Sequence, residues 1–196
     1  MDIYEKLKRP FKASKINWRV GATNQAKDKG IALAYIDARD VMERLDEVFG
    51  MNWQCKYSHA ENKTICEISV LIDGVWITRA NGAGDSDIEA EKGAISDAFK
   101  RAGVMFGIGR YLYDLPNQWV KIENKKIVET PKLPSGFYPV ITQKQAATYV
   151  EKMLDEKATK EYKRSLYEQA KLDCEEAEDL AMWDFIKSAI QPKEAK

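Results

Sequence analysis

The sequence predicts an α+β fold, in which an antiparallel three-stranded meander packs on a long helix and a small all-α C-terminal module follows. Three observations lead to this class. Apolar and polar residues alternate in short runs between residues 53 and 80, which is typical of half-buried strands. Apolar residues then recur at helical spacing over residues 86–112. A proline-rich segment, residues 129–139, separates this core from a second helical stretch.

The chain before the meander predicts two helices with a loop between them. Residues 2–9 indicate a short helix, and the polar stretch GATNQAKDKG at residues 21–30 is typical of a loop. Asp37 is placed as the N-cap of a second helix, which runs through Phe49 and ends at Gly50. The inward side of this helix is apolar and consists of Val41, Leu45 and Val48.

The meander is predicted from two turns and three alternating runs. The dipeptide DG at residues 73–74 is a strong hairpin signal, whereas residues 59–63 indicate a looser turn. Residues 81–85 are expected to form a flexible connection to the long helix. Pairing of the first two runs would place Cys55 and Cys66 across from each other. The alternating runs lie at residues 53–58, 66–72 and 75–80.

The long helix has signals at both ends. Ser86 and Glu89 form a capping box that starts it, and Gly107 and Gly109 are suited to ending it. One side of the helix is apolar, which predicts that this side packs on the meander. The residues of that side are Ile88, Ile95, Phe99, Ala102 and Phe106.

Composition limits the classes of function. The chain has 196 residues, 44% of them hydrophobic and 32% charged, as in an ordinary soluble protein. Its 31 basic and 31 acidic residues argue against nucleic-acid binding by bulk charge, but not against a local basic groove. There is no membrane-length apolar run and no signal-peptide core, so we expect a cytoplasmic location. Cys55, Cys66 and Cys174 are too few and too scattered for a disulfide framework or a zinc site.

An acidic run at residues 85–91, directly before Lys92, raises the alternative of a magnesium-dependent nuclease. The familiar nuclease spacing puts an acid two residues before the lysine, and Ala90 stands there instead. Negative charge also favours a helix start in any protein, because of the helix dipole. His59 is the only histidine, so a nucleophilic triad is not expected. Gly82 with Gly84, and Gly107 with Gly109, each lack the third glycine of a dinucleotide-binding fingerprint. No cofactor is expected.

A further candidate function is binding of single-stranded nucleic acid. Opposite its apolar side, the long helix carries Lys92, Ser96 and Lys100 about one turn apart, with Arg101 beside them. Cations interleaved with aromatic rings hold phosphates and stack on bases, although a solvated charged face would give a similar pattern. The residues predicted to contact the nucleic acid are Lys100, Arg101, Arg39, Lys92, Arg110, Arg19 and Lys56.

Four blocks, in this order, resemble a known family. They are YIDARDVMERLDEVFG at residues 35–50, Trp53 with the meander, the GAG at residues 82–84, and EKGAISDAFKRAGVMFGIGRYLYDLP at residues 91–116. Over roughly residues 10–116 the chain resembles the Rad fifty-two (Rad twenty-two) family of single-strand annealing proteins, and most of all the phage recombinases of the Sak type.

This resemblance implies an ATP-independent protein, not an enzyme, that forms oligomeric rings and holds single-stranded DNA by its backbone in a basic groove. The bases stay open for pairing, so that complementary strands anneal. In the family a Lys-Arg pair within the long helix lines the groove, and Lys100 and Arg101 occupy those positions here.

The chain departs from the family pattern at other basic positions. A second basic residue of the family aligns with Asp40, next to Arg39, and a third aligns with Val104. A secondary, outer DNA site of the family is not expected here. Ile72 and the acidic run at residues 85–91 stand in place of its lysines.

We expect residues 1–128 to form the DNA-binding and oligomerisation core, residues 129–139 a proline-rich linker, and residues 140–196 a helical module. Thr142 and Gln145 form a capping box at the start of this module. The module either binds a partner, such as a single-strand-binding protein, or packs as a buttress on the ring. Its three predicted helices have as inward residues Ala146, Val150 and Leu154, then Tyr162, Leu166 and Ala170, then Leu180, Trp183, Ile186 and Ile190.

Overall fold

The computed structural model describes residues 2–84, 88–134 and 136–191, without the side chains of residues 88–92. The predicted capping box of Ser86 and Glu89 therefore lies outside what is described. In the described chain no helix is both long and apolar enough to cross a membrane.

The α+β class is confirmed, with the described strands in runs of two or three between helices and three successive helices after the last strand. The helices are α1 (Ile3–Lys8), α2 (Ala38–Phe49), α3 (Ile88–Met105), α4 (Gln143–Leu154), α5 (Lys160–Glu176) and α6 (Leu180–Ile190). The strands are β1 (Asn17–Thr23), β2 (Lys29–Tyr35), β3 (Trp53–Ala60), β4 (Lys63–Ile72), β5 (Val75–Gly84), β6 (Gln118–Glu123) and β7 (Lys126–Ile127).

The chain divides into two compact units, each described here by itself. The first contains Met1–Pro10 with Ser14–Lys132, and the second contains Phe11–Ala13 with Leu133–Lys196. The division near residue 132 falls inside the proline-rich segment. The functional roles assigned to residues 1–128 and 140–196 remain predictions.

The first unit contains a sheet that the sequence did not predict, with strand order β1-β2-β6-β7. The expected loop at residues 21–30 is instead a hairpin between β1 and β2. Asn24 closes its turn, because its Oδ1 accepts from the Lys29 N–H at 3.1 Å and its own N–H donates to the Lys29 carbonyl at 3.0 Å. The polar composition of the turn hid the strands on either side of it. A Cβ at position 21 would lie 2.8 Å from Leu33 Cδ1, so a larger residue there requires the Leu33 side chain to move.

The predicted meander is confirmed as the second sheet, with antiparallel order β3-β4-β5. Asp73 and Gly74 have φ values of 50° and 79°, as a tight hairpin turn with left-handed residues requires. Three details differ from expectation. The turn between β3 and β4 is also tight, with two residues, and β5 continues through Gly84 rather than loosening at residue 81. Cys55 faces Ile68, while Tyr57 lies opposite Cys66, so the two cysteines are not directly paired.

The core of the first unit forms where α3 packs on β4 and β5. Phe99 is completely buried, with its ring centroid 6.1 Å from that of Trp53 on β3. Ile95, expected on the inward side, is instead 40% exposed. The side of α3 that faces the sheet carries small residues, which let the helix approach the sheet closely. These are Ala94, Ala98 and Ala102, and they pack with the alternate buried residues of β4: Thr64, Cys66, Ile68 and Val70.

Helix α2 follows its prediction and sits close against α3. It begins after the N-cap Asp37 and ends at Gly50. Gly103 of α3 faces α2, and a Cβ added there would lie 2.7 Å from Cγ1 of Val41, so glycine sets the separation of the two helices. Beyond α3, Gly107 and Gly109 have positive φ values of 97° and 66° and end the helix as predicted.

A buried arginine fixes α1 to α2. Arg44 is only 4% exposed, and its Nη1 donates to the carbonyl oxygens of Lys6, Leu7 and Arg9 at 3.0, 3.2 and 2.7 Å. These are carbonyls at the end of α1 that have no partner within the helix. Arg44 therefore acts as a C-terminal cap supplied from another helix.

The second unit is a small three-helix arrangement, as predicted. The capping box of α4 is present, since Gln145 N–H donates to Thr142 Oγ1 at 3.2 Å and the Thr142 N–H donates to Gln145 Oε1 at 2.9 Å. Tyr149 donates from its hydroxyl to Asp173 at 2.5 Å and ties α4 to α5. The core is made of Ile141, Ala146, Met153, Ala170, Cys174 and Ile186.

Three of the residues expected to face inward in this unit are exposed. They are Leu154, Tyr162 and Leu180, of which Leu180 is 73% exposed. Met153 and Cys174 are buried instead. In a bundle of short helices the buried stripe is narrow, so a shift of one residue exchanges an inward position for an outward one.

Candidate nucleic-acid interface

Lys100 and Arg101 occupy successive positions on α3, between the buried residues Phe99 and Ala102. The Arg101 side chain is 51% exposed and that of Lys100 is 25% exposed. Neither is inside the core, because Ala98, Phe99 and Ala102 take the buried positions of this turn. Both cations are therefore available to an anion at the surface.

A carboxylate that the sequence analysis passed over lies beside this pair. Asp97 Oδ2 accepts from Nε of Arg101 at 2.9 Å, and its Oδ1 lies 3.9 Å from Nζ of Lys100. The spacing of four residues between Asp97 and Arg101 is the ordinary signal for such a pair on a helix. One carboxylate serves two cations, so the pair keeps a net positive charge.

Tyr35 holds Lys100 against the first sheet. The Nζ of Lys100 lies 5.2 Å from the centroid of the Tyr35 ring, within the range of a cation–π contact. Tyr35 ends β2, so this contact joins α3 to the strand that leads into α2. The aromatic ring and the cation thus form one surface, of the kind that binds single strands.

At the start of α2, Arg39 and Asp40 have opposite roles. Asp40 is buried and accepts from the Asp37 N–H at 2.9 Å and from Lys15 Nζ at 2.9 Å. Hydrogen bonds to Asp40 and Glu43 raise the pKa of Lys15. Arg39 is exposed and has no ion pair within the described residues. At the start of α2 the exposed cation is therefore Arg39, while Asp40 points into the fold as a buried hydrogen-bond acceptor.

Arg110 has a structural task at the end of α3. Its Nε donates to the Val104 carbonyl at 3.0 Å, and its Nη2 donates to the Val104 and Met105 carbonyls at 2.8 and 3.0 Å. Arg79 on β5, which the sequence analysis did not select, donates to the same Met105 oxygen. Two exposed guanidinium groups therefore meet at the helix end. No sequence signal places residue 79 there, since the contact depends on how β5 lies against α3.

The other predicted residues are spread over the first unit. Arg19 is exposed on β1, opposite Leu33 of β2. Lys56 is exposed on β3, where Glu67 of β4 lies opposite it. The backbone of residue 92 belongs to α3, but its side chain lies outside what the structure describes.

A cleft of about 490 Å³ is lined by residues of β1 and β7. Trp18 contributes an aromatic ring to it, and Lys125 and Lys126 contribute two cations. The acidic run at residues 85–91 falls in the part whose side chains are not described. Among the described side chains, no group of three acidic, cysteine or histidine residues could hold a metal ion.

Comparison with known proteins connects this geometry to a family. Residues 1–130 match the Rad52/22 family, described as double-strand break repair proteins. The chain is 35% identical over 142 residues to the single-stranded DNA-binding protein DdrA of Deinococcus deserti, a match covering 70% of this chain and 71% of that protein. It is 34% identical to DdrA of Deinococcus radiodurans, with 70% of this chain and 68% of that protein covered. No solved structure matches the chain. On the match over residues 1–130, this chain belongs to the Rad52/22 family.

Proposed function

We propose that this protein binds single-stranded DNA through its phosphates and anneals complementary strands without ATP. The observation that carries the proposal is the pair of surface cations on α3, the partly exposed Lys100 and the exposed Arg101, in a chain of the Rad52/22 family. The two DdrA relatives are named as single-stranded DNA-binding proteins, which supports the same ligand for this chain.

The mechanism needs no covalent chemistry, so we propose a binding protein rather than an enzyme. Each phosphate that a cation neutralises releases a counterion, which makes affinity fall with salt by a slope of about 0.7 per contact on single strands. A strand held by its backbone loses its own secondary structure and keeps its bases exposed. The two complementary strands then meet with their bases already aligned, so that less conformational entropy is lost when they pair.

An oligomeric ring would explain how a chain with no net charge binds a polyanion. A few cations per subunit hold a strand only weakly. Repeated around a closed assembly, the same cations act together, because each further contact is intramolecular. We therefore propose a homo-oligomeric ring in which Lys100 and Arg101 of each subunit face one continuous groove. Arg39, Lys92, Arg110, Arg19 and Lys56 are the further candidate contacts.

Fluorescence annealing of complementary oligonucleotides in the absence of ATP tests this function. We expect the protein to accelerate pairing well beyond the protein-free rate, and equal rates would overturn the proposal. A parallel incubation of labelled DNA with magnesium tests the nuclease alternative based on residues 85–91. Intact DNA is expected there, whereas cleavage would favour the nuclease.

The C-terminal unit is proposed to bind a partner such as a single-strand-binding protein. Its α6 exposes two large apolar side chains, since Leu180 is 73% and Phe185 is 52% exposed. Replacing both (Leu180→Ser with Phe185→Ser) should abolish capture of a purified single-strand-binding protein and leave annealing unchanged. Unchanged capture together with loss of annealing would support the buttress instead.

A further inference from the structure

The C-terminal end of α3 brings together two arginines from distant parts of the chain. Arg79 extends from β5 and donates through Nη1 to the carbonyl oxygen of Met105. Arg110 follows α3 and donates through Nη2 to the same oxygen at 3.0 Å. Because both guanidinium groups contact one oxygen atom, they must lie side by side. We call them the arginine pair.

The arginine pair carries more positive charge than its surroundings offset. A helix C-terminus supplies the equivalent of about half a negative charge. Within the described residues, neither Arg79 nor Arg110 forms an ion pair with a carboxylate. Both residues are exposed, and Nη1 of Arg110 and Nη2 of Arg79 make no hydrogen bond to the described chain. An anion with several oxygens would both neutralise the pair and use these donors.

The pair is also held in a fixed orientation. The guanidinium carbon of Arg79 lies 5.2 Å from the ring centroid of Phe106, which is buried. Arg110 is fixed through Nε and Nη2 to the carbonyl of Val104. Long basic side chains usually lose much rotamer freedom when they bind a ligand. Here part of that freedom is already lost in the free protein, which favours anion binding.

The arginine pair lies close to the predicted DNA contacts on α3. Met105 follows Arg101 by four residues, which is about one turn and a rise of about 6 Å along the helix. Asn81 on β5 donates to the Arg101 carbonyl at 3.5 Å, so β5 runs alongside this turn. The arginine pair therefore lies one turn beyond Arg101, on the side of α3 that β5 covers.

We infer that Arg79 and Arg110 form a phosphate-binding site for single-stranded DNA, next along the strand from the phosphates held by Lys100 and Arg101. The inference rests on the proposed function and adds to it the direction of the strand, along α3 towards its C-terminal end. It also gives Arg110 two roles, as a helix cap and as a phosphate ligand. Guanidinium groups suit this task, since each arginine keeps one terminal nitrogen, Nη2 of Arg79 and Nη1 of Arg110, to donate to a phosphate oxygen.

The test measures the affinity of the full chain for a labelled oligothymidylate over a range of salt concentrations. Arg79→Gln should lower the salt slope by about 0.7 and, at about 0.1 M salt, reduce affinity about fivefold. Arg79→Lys keeps the charge and should keep the slope. Lys121→Gln removes an exposed charge elsewhere in the first unit, where Lys121 pairs with Glu123 at 2.9 Å, and should leave the slope unchanged.

Thermal unfolding of the same variants separates binding from capping. If Arg79→Gln lowers the melting temperature but keeps the wild-type salt slope, the arginine only caps the helix and the inference is overturned. If that variant does not fold, Arg79→Met takes its place, because it keeps the aliphatic part of the side chain beside Phe106 and removes the charge; a slope lower by about 0.7 then supports the inference, and the wild-type slope overturns it. Absence of binding by the wild type would instead refute the proposed function itself. The two failures are thus distinguishable.

Discussion

Arg101 donates through Nε to Asp97 at 2.9 Å, across one turn of the exposed side of α3. Lys100 lies 3.9 Å from the other oxygen of the same carboxylate. Asp97 is itself about half exposed, and exposed ion pairs of this kind contribute little in water. In the proposed function a DNA phosphate would replace Asp97 as the partner of Arg101, and Asp97 would lower the affinity of the site.

Removing this carboxylate should strengthen DNA binding. Asp97→Asn leaves both cations without an internal partner, and we expect affinity for single-stranded DNA to rise about two- to fivefold, the equivalent of one exposed ion pair. Fluorescence anisotropy at fixed salt measures this. Asp184→Asn is the matched control, because Asp184 forms a comparable pair with Lys187 at 2.7 Å in the second unit. Equal gains in both variants would mean that overall charge, not the site, is responsible.

The close approach of α2 and α3 predicts a difference between two glycines of the same helix. Gly103→Ala places a Cβ 2.7 Å from Val41 Cγ1 and should destabilise the protein by about 1–2 kcal/mol, because overpacking outweighs the better helix propensity of alanine. Within the described residues nothing lies within 4 Å of a Cβ added at Gly93, so Gly93→Ala should be neutral or stabilising by up to about 1 kcal/mol. Chemical denaturation gives both values, and equal effects would argue against the packing explanation.

Substituting methionine for each of two arginines of α2 should affect different properties, stability at one position and DNA binding at the other. Arg44→Met removes the cap of α1 and should cost about 2–3 kcal/mol of unfolding free energy, because three carbonyls lose their donor. Arg39→Met should change stability by less than about 0.5 kcal/mol and instead weaken DNA binding. Denaturation and anisotropy on both variants check this, and a stability loss for Arg39→Met would mean that its side chain has a packing role.

The three cysteines should differ strongly in reactivity. Burial raises the pKa of the Cys66 and Cys174 thiols to about 11, whereas Cys55 is exposed. A thiol with a raised pKa is protonated over a wider pH range, so at pH 8 only about one in a thousand of these groups is the reactive thiolate. Ellman's reagent at pH 8 should therefore label Cys55 quickly, and the other two only after unfolding. Rapid labelling of three thiols in the native protein would contradict the buried positions.

Local sequence signals predicted the elements whose limits are set by neighbouring residues. The DG turn, the Asp37 and Gly50 ends of α2 and the capping box of α4 all depend on contacts within a few residues. The first sheet was missed because the polar turn hid the β1–β2 hairpin and because β6 pairs with β2 from far along the chain, where no local pattern records the pairing. The exposure of Ile95 was missed for a related reason. Whether a helix position is buried depends on which side of the helix the sheet covers.

In the candidate site, too, contacts between near neighbours in the sequence could be predicted, and contacts between distant residues could not. The positions of Lys100 and Arg101 on one helix follow from their place in the sequence, and so does Asp97, by its spacing. Arg79 and Tyr35 reach α3 from strands, so their contacts with Met105 and Lys100 required the tertiary structure. The ion pair between the buried Asp40 and the partly exposed Lys15 likewise required the tertiary structure, because the two residues lie 25 positions apart in the sequence.

The central claim is that Lys100 and Arg101 hold the phosphates of single-stranded DNA, and one measurement tests it most directly. It is the binding of a labelled oligothymidylate to Lys100→Ala with Arg101→Ala, against the wild type, over a range of salt concentrations, with the size of the assembly measured by light scattering. We predict that the double variant loses DNA binding while its assembly and fold stay intact. Binding with the wild-type affinity and salt slope, or collapse of the assembly instead of loss of DNA, would contradict the account.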